Sequence, residues 1–183
     1  MSEQLQKRNR KAMLAAYDWV QALVVALVGI VLLFTFAVRI VAVDGDSMLP
    51  TLRHRDRLLL SGITTDYTRG DIVVVDRYTD EPLIKRVVAV AGDTVRIDNN
   101  RLFINEILQQ EPYITGYTVQ RDMTDTVTVP EGYVFVLGDN RTISKDSRMA
   151  EIGMVSCKDI VGRAVCRVWP LGAIGDVYDN LDG

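Results

Sequence analysis

Two side chains in this sequence are placed for acyl-transfer chemistry, Ser47 and Lys85. Ser47 stands in the turn-like segment Gly45-Asp46-Ser47-Met48-Leu49-Pro50-Thr51-Leu52, and Lys85 in the apolar run Leu83–Ala91. A serine hydroxyl is a weak nucleophile at neutral pH and needs a base to take its proton. A lysine serves only when burial destabilises its ammonium form. In an extended strand Lys85 shares one face with Leu83, Val87 and Ala89, an apolar surface able to strip water from the amine. Arg86 on the opposite face, with Ile84 and Val88, shows that an apolar neighbourhood alone does not single out a base. Taken singly, Ser47 is also readable as a turn hydroxyl or helix N-cap, and Lys85 as an edge-strand lysine that snorkels.

Other chemistries have less to work with. His54 is the one histidine and is flanked by Arg53 and Arg55, which reads as an exposed loop and leaves a Ser-His-Asp triad without a base. Cys157 and Cys166 lack the spacing of a zinc site, and no disulfide between them is expected. Asp44 and Asp46 resemble the start of a calcium loop but lack the further carboxylates such a loop requires. No metal and no cofactor are expected. The 21 basic and 24 acidic residues are interleaved, for a net charge of −3, which gives no basic stripe for nucleic acid.

The elements that must position the two residues follow from hydrophobic patterning. Trp19 to Val38 is an apolar stretch of membrane-spanning length, with Tyr17 and Trp19 as interfacial anchors. Its length exceeds the apolar core of a cleaved secretion signal, so an uncleaved anchor is expected, with Ser47 within a few residues of the lipid surface. Lys7, Arg8, Arg10 and Lys11 precede it and favour a cytoplasmic N-terminus. The expected organisation is a cytoplasmic segment 1–18, a transmembrane anchor 19–38 and an extracytoplasmic domain 39–183.

Beyond the anchor, short Val-, Ile- and Leu-rich runs recur at Arg57–Ser61, Asp71–Asp76, Leu83–Ala91, Thr94–Ile97, Arg101–Ile104, Thr126–Val129, Tyr133–Leu137 and Ile160–Trp169. Gly, Asp, Asn and Pro punctuate them, and Asp98-Asn99-Asn100 is a hairpin signal. The pattern predicts a mainly β domain, antiparallel and curled into a barrel-like sheet. Asn105 to Asp125 is the least patterned stretch and reads as an exposed insertion. Leu49–Leu52 and Ser144–Met149 each have room for a helical turn.

Four segments together carry a resemblance: Gly45 with Ser47-Met48-Leu49-Pro50-Thr51; Gly70-Asp71-Ile72-Val73-Val74-Val75; Lys85-Arg86-Val87-Val88-Ala89-Val90-Ala91-Gly92-Asp93; and Gly138-Asp139-Asn140-Arg141 with Ser144, Asp146, Ser147 and Arg148. In this order they resemble the conserved boxes of the bacterial type I signal peptidases, from the anchor to about Trp169-Pro170. Four blocks in register are far more specific than any one of them.

The resemblance implies a membrane-bound serine endopeptidase that removes signal peptides from exported preproteins through a Ser-Lys dyad, Ser47 as nucleophile and Lys85 as general base. It further implies that Ser144 hydrogen-bonds and orients the lysine amine, and that Asp146 and Arg148 form a supporting ion pair. The Ser47 N–H would serve as an oxyanion donor, and Val43, Met48, Leu52, Leu83 and Ile84 would build pockets for small side chains. Gly45 stands where the Gram-negative branch has a serine donor to the oxyanion, so the chain is similar to the Gram-positive branch in this respect, as in its short β region and single anchor. Thr142 replaces an acidic residue often found after the Asn-Arg pair. The implied partners are preprotein signal peptides and the lipid bilayer of a bacterial plasma membrane, and a monomer is expected because no dimer motif stands out in the span. Two other readings compete: a self-cleaving SOS repressor, which carries a DNA-binding domain where this chain has a span, and an anchored, non-catalytic β module that binds export substrates.

Overall fold

The computed structural model describes residues 2–36, 38–62 and 66–178. The chain divides into two compact units, Met1–Val38 and Arg39–Gly183. The first is a single helix, α1 (Ser2–Phe36). Within it Met13–Val31 is long and apolar enough to cross a membrane, with a mean hydropathy of 1.9. The helix differs from the expected span at both ends. It runs upstream through the basic cluster, where Gln, Lys and Arg are good helix formers, and it stops at Phe36. Val38, read from sequence as the last residue of the span, opens a strand, because β-branched Val38, Ile40 and Val41 favour extended backbone.

The second unit is mainly β. Its strands are β1 (Val38–Ala42), β2 (Arg57–Ser61), β3 (Ile72–Val75), β4 (Leu83–Val90), β5 (Thr94–Asp98), β6 (Arg101–Ile104), β7 (Ile107–Leu108), β8 (Val127–Thr128), β9 (Tyr133–Leu137), β10 (Val155–Ser156), β11 (Ile160–Trp169) and β12 (Gly175–Asp176). The larger sheet has the order β1-β2-β11-β3-β4-β9-β10, with β12 on β11, and the smaller one β7-β6-β5-β8. From β2 to β10 each neighbouring pair in the larger sheet is antiparallel. Asn99 and Asn100, both at positive φ, make the turn between β5 and β6 that their sequence signals.

The larger sheet is curled, and the ladder shows how. The pairing of β11 slips between Ala164 and Cys166 and again between Arg167 and Trp169 against β2, and between Ile160 and Gly162 against β3. Each extra residue sharpens the local twist and bends the strand. The three hydrophobic clusters follow from that curl. Val43, Met48, Leu52, Leu58, Leu60, Ile72, Val74 and Ile84 form one, and Val73, Val75, Val87, Val134 and Val136 line the opposite face of β3 and its neighbours. The third, between the two sheets, gathers Val88, Ala89, Val95, Ile97, Leu102, Phe135 and Leu137.

A bulge between Val87 and Ala89 in the pairing of β4 with β9 changes one expectation. Strict alternation puts Ala89 on the face of Lys85 and Val87, but the inserted residue sends Ala89 into the third cluster with Val88. Cys157 and Cys166 are free thiols.

Candidate active site

The turn that carries Ser47 is built by its own backbone and by its neighbours. Leu49 N–H donates to the Asp46 carbonyl at 3.2 Å, and Leu52 N–H to the Met48 carbonyl at 2.8 Å, which folds residues 46–52 into consecutive turns in place of the helical turn expected at Leu49–Leu52. Met48 and Leu52 are buried in the first cluster and fix that turn to the sheet. Ser47 is left partly open to solvent at its head.

Lys85 lies in the middle of β4, paired with Val73 of β3, and is 2% exposed. Its Nζ stands 2.9 Å from Ser47 Oγ and donates to the Ile84 carbonyl at 2.9 Å. Burial depresses the amine from an ordinary 10.5 to about 8, while the Asp146 and Asp139 carboxylates pull the other way. The desolvation prevails because neither carboxylate is free. Asp146 is held by Arg148 through Nε to Oδ1 and Nη2 to Oδ2, both 2.8 Å. Asp139 is held by Arg86 through Nε to Oδ1 at 2.9 Å and Nη2 to Oδ2 at 2.7 Å. All four of these side chains are buried. Bidentate pairing of this kind neutralises a carboxylate in place.

The loop after β9 brings these groups to Ser47 and Lys85. Gly138 comes so close to Ser47 that a Cβ on it would stand 2.5 Å from the Ser47 carbonyl oxygen and 2.2 Å from Ser144 Oγ. Its N–H donates to Asp146 Oδ2 at 3.1 Å. Asn140 then clasps the Ser47 turn, its N–H donating to the Ser47 carbonyl at 3.0 Å and its Nδ2 to the Asp46 carbonyl at 3.2 Å. Ser144 is fully buried, and its Oγ makes no hydrogen bond. The bond to the lysine amine implied by the resemblance is therefore not formed; Lys85 bonds the Ile84 carbonyl instead.

Ser47 and Lys85 line a cleft of about 360 Å³, together with Leu83, Ile84, Asp44 and Lys145. Val43, Met48 and Leu52 are not in that lining. They lie in the core cluster that Ile84 also joins, where their apolar surface is already covered. Gly45 sits at φ +81 with open space where a Cβ would go, and its N–H donates to His54 Nδ1 at 3.2 Å. His54 Nδ1 also lies 3.1 Å from Asp44 Oδ1. Among the described residues no three His, Cys, Asp or Glu side chains gather in a way that could hold a metal ion.

Sequence reasoning passed over Arg86, Asp139 and Asn140 as working parts. Residues 105–125 are mostly exposed, as expected of an insertion, yet they are tied to the loop after β9. Glu111 and Thr118 accept from the buried Arg141, the latter at 2.6 Å, and Thr115 pairs with Asn140 as a parallel bridge. Thr142 packs against Gly116, where a Cβ would meet its Oγ1 at 2.2 Å, and its carbonyl accepts from Arg121 at 2.6 Å. The signal that could have found these contacts is the run of arginines, Arg86, Arg141 and Arg148, inside apolar or glycine-bounded segments, since a buried guanidinium must have a carboxylate.

A serine hydroxyl and a buried amine on a curled antiparallel sheet are the parts of a serine hydrolase of the β class. The chain belongs to the S26 family of signal peptidases, whose profile matches residues 16–169. It is 35% identical to the signal peptidase I of Bacillus amyloliquefaciens over 95% of this chain and 98% of that one. It is 32% identical to signal peptidase IB of Staphylococcus aureus strain N315, over 84% and 89% of the two chains. A solved signal peptidase I from Enterococcus faecalis V583 is 29% identical and aligns with 54% of this chain and 96% of that one, at a TM-score of 0.45.

Proposed function

We propose that this protein is a membrane-anchored endopeptidase that removes signal peptides from exported preproteins, with Ser47 as nucleophile and Lys85 as general base. The observation that carries the reading is the 2.9 Å approach of the Lys85 amine to Ser47 Oγ inside a pocket that depresses the amine to about 8. With one N–H held by the Ile84 carbonyl, the neutral amine can turn its lone pair to the Ser47 hydroxyl. Lys85 takes that proton as Oγ attacks the scissile carbonyl, then gives it to the leaving amine. Water hydrolyses the acyl-enzyme by the same base in the second half. The Ser47 N–H is the oxyanion donor in this scheme, since the Gly45 N–H is engaged by His54. Leu83 and Ile84 are the pocket residues that take small substrate side chains, and the Asp146–Arg148 ion pair holds the loop against the dyad.

The organisation proposed with this reading is a cytoplasmic N-terminal segment, a transmembrane anchor in the apolar part of α1 and an extracytoplasmic catalytic domain, monomeric in the bacterial plasma membrane. The basic cluster Lys7 to Lys11 supports that orientation by the positive-inside rule. The test is cleavage of a purified preprotein by the detergent-solubilised full chain. Wild type should release a mature product, and Ser47→Ala and Lys85→Ala none. Product formation by either variant at wild-type rate would refute the assignment.

A further inference from the structure

We infer that Glu111 and Tyr113 are positioning residues for the Ser47–Lys85 dyad, coupling the two buried arginines Arg86 and Arg141 through one braced segment. This inference rests on the dyad reading. The segment 109–123 is irregular, yet it is tied to the loop after β9 along its length. Thr115 N–H donates to the Asp139 carbonyl at 2.9 Å, and Arg141 N–H returns to the Thr115 carbonyl at 3.1 Å. Asp122 N–H donates to the Arg148 carbonyl at 3.2 Å, and the Asp122 carboxylate accepts from Ala150 N–H at 3.0 Å.

Two routes lead from this segment to the reacting groups. Glu111 takes both ends of the Arg141 fork, Nη1 to Oε2 at 2.7 Å and Nη2 to Oε1 at 2.5 Å. Arg141 Nε then donates to the Gly138 carbonyl at 3.0 Å, in the stretch whose Asn140 holds the Ser47 carbonyl. The second route runs through Tyr113, whose ring lies 4.1 Å from the Arg86 guanidinium. Arg86 is the neighbour of Lys85 on β4 and the partner of Asp139, which also accepts from Thr51 Oγ1 on the nucleophile's turn at 2.5 Å. The Tyr113 hydroxyl closes the circuit by donating to Glu111 Oε1 at 3.0 Å. One carboxylate and one ring thus brace the base's side and the nucleophile's side together. A guanidinium stacked on an aromatic face and forked to a carboxylate has little freedom to move.

The test uses the full chain in detergent, steady-state cleavage of a preprotein across pH, and a melting curve for each variant. Tyr113→Leu removes the ring under Arg86, and Glu111→Gln removes the counter-charge of Arg141. Both should lower kcat by about tenfold or more with KM within about twofold, since the losses are in alignment rather than in substrate contact. Tyr113→Leu should also move the pH of half-maximal activity upward, because an Arg86 that strays leaves Asp139 to favour the Lys85 ammonium. A kcat within twofold of wild type in both folded variants overturns the inference. So does a loss that follows melting temperature alone, with the pH midpoint unmoved. If either variant fails to fold, Tyr113→Phe decides: it deletes one hydroxyl, and a kcat lower by about threefold supports the brace while wild-type kcat contradicts it. Ser47→Ala runs alongside, and cleavage persisting there would remove the dyad reading instead.

Discussion

The rate of cleavage should follow the neutral fraction of Lys85. With the amine depressed from 10.5 to about 8, roughly one enzyme in eleven carries a free base at pH 7 and about ten in eleven at pH 9. A rise of about tenfold in kcat/KM between pH 7 and pH 9 follows. An amine left at 10.5 would be neutral in only about one molecule in three thousand at pH 7, so burial makes the base available about 300 times more often. The net shift corresponds to roughly 3–4 kcal/mol against the ammonium, at about 1.4 kcal/mol per power of ten, with desolvation outweighing the opposing pull of Asp146 and Asp139. The assay is preprotein cleavage in detergent at constant ionic strength from pH 6 to pH 10, with a charge-free substrate segment around the scissile bond. A single ascending limb with its midpoint near 8 is the expected profile. A flat profile over pH 6–9, or one whose midpoint lies below 7 and belongs to an imidazole, would refute the reasoning.

The same depressed amine sets a stability trend. Between pH 7 and pH 9.5 the unfolded chain holds a proton on Lys85 that the folded chain has increasingly released, so stability should rise by about 2 kcal/mol relative to Lys85→Met, as read by denaturant unfolding at both pH values. Gly138→Ala should cost at least about a hundredfold in kcat, because its Cβ collides with the Ser47 carbonyl oxygen and with Ser144 Oγ and forces the nucleophile's backbone to shift. Arg148→Met strands the buried Asp146 carboxylate and should destabilise the fold by about 3–5 kcal/mol in thermal unfolding, and Arg148→Lys should not restore it because an ammonium cannot make the fork. Gly45→Ala should cost about 1–2 kcal/mol through its positive φ rather than through any clash, and Gly45→Ser should behave alike unless its hydroxyl reaches the oxyanion.

The strands were legible because their cause is local. Val, Ile and Leu alternate or cluster between Gly, Asp and Asn, and β2, β6, β9 and β11 begin and end where that pattern does. Four strands escaped it. Three of these, β7, β10 and β12, are two residues long, too short to show a period, and β1 was absorbed into the apolar run before it. Ser47 and Lys85 were legible as a pair only through their boxes, since Arg86 on the next position is equally buried. What separates them is the partner: Arg86 meets Asp139, and Lys85 meets a hydroxyl and a carbonyl. That difference is set by residues distant in sequence, which composition and periodicity do not report. Residues 105–125 are mostly exposed, as their polarity indicates, but the contacts that tie them down are equally distant in sequence: Glu111 and Thr118 accept from Arg141. Val43, Met48 and Leu52 show the converse, apolar side chains buried in the core cluster that Ile84 also joins.

The most direct test of the Ser47–Lys85 assignment is the site of the covalent intermediate. Full-length enzyme mixed with a preprotein, quenched in acid during turnover and digested for peptide mass mapping, should carry the acyl group on Ser47, and Lys85→Ala should carry none. An acyl group on another residue, or undiminished turnover by Ser47→Ala, would contradict the account.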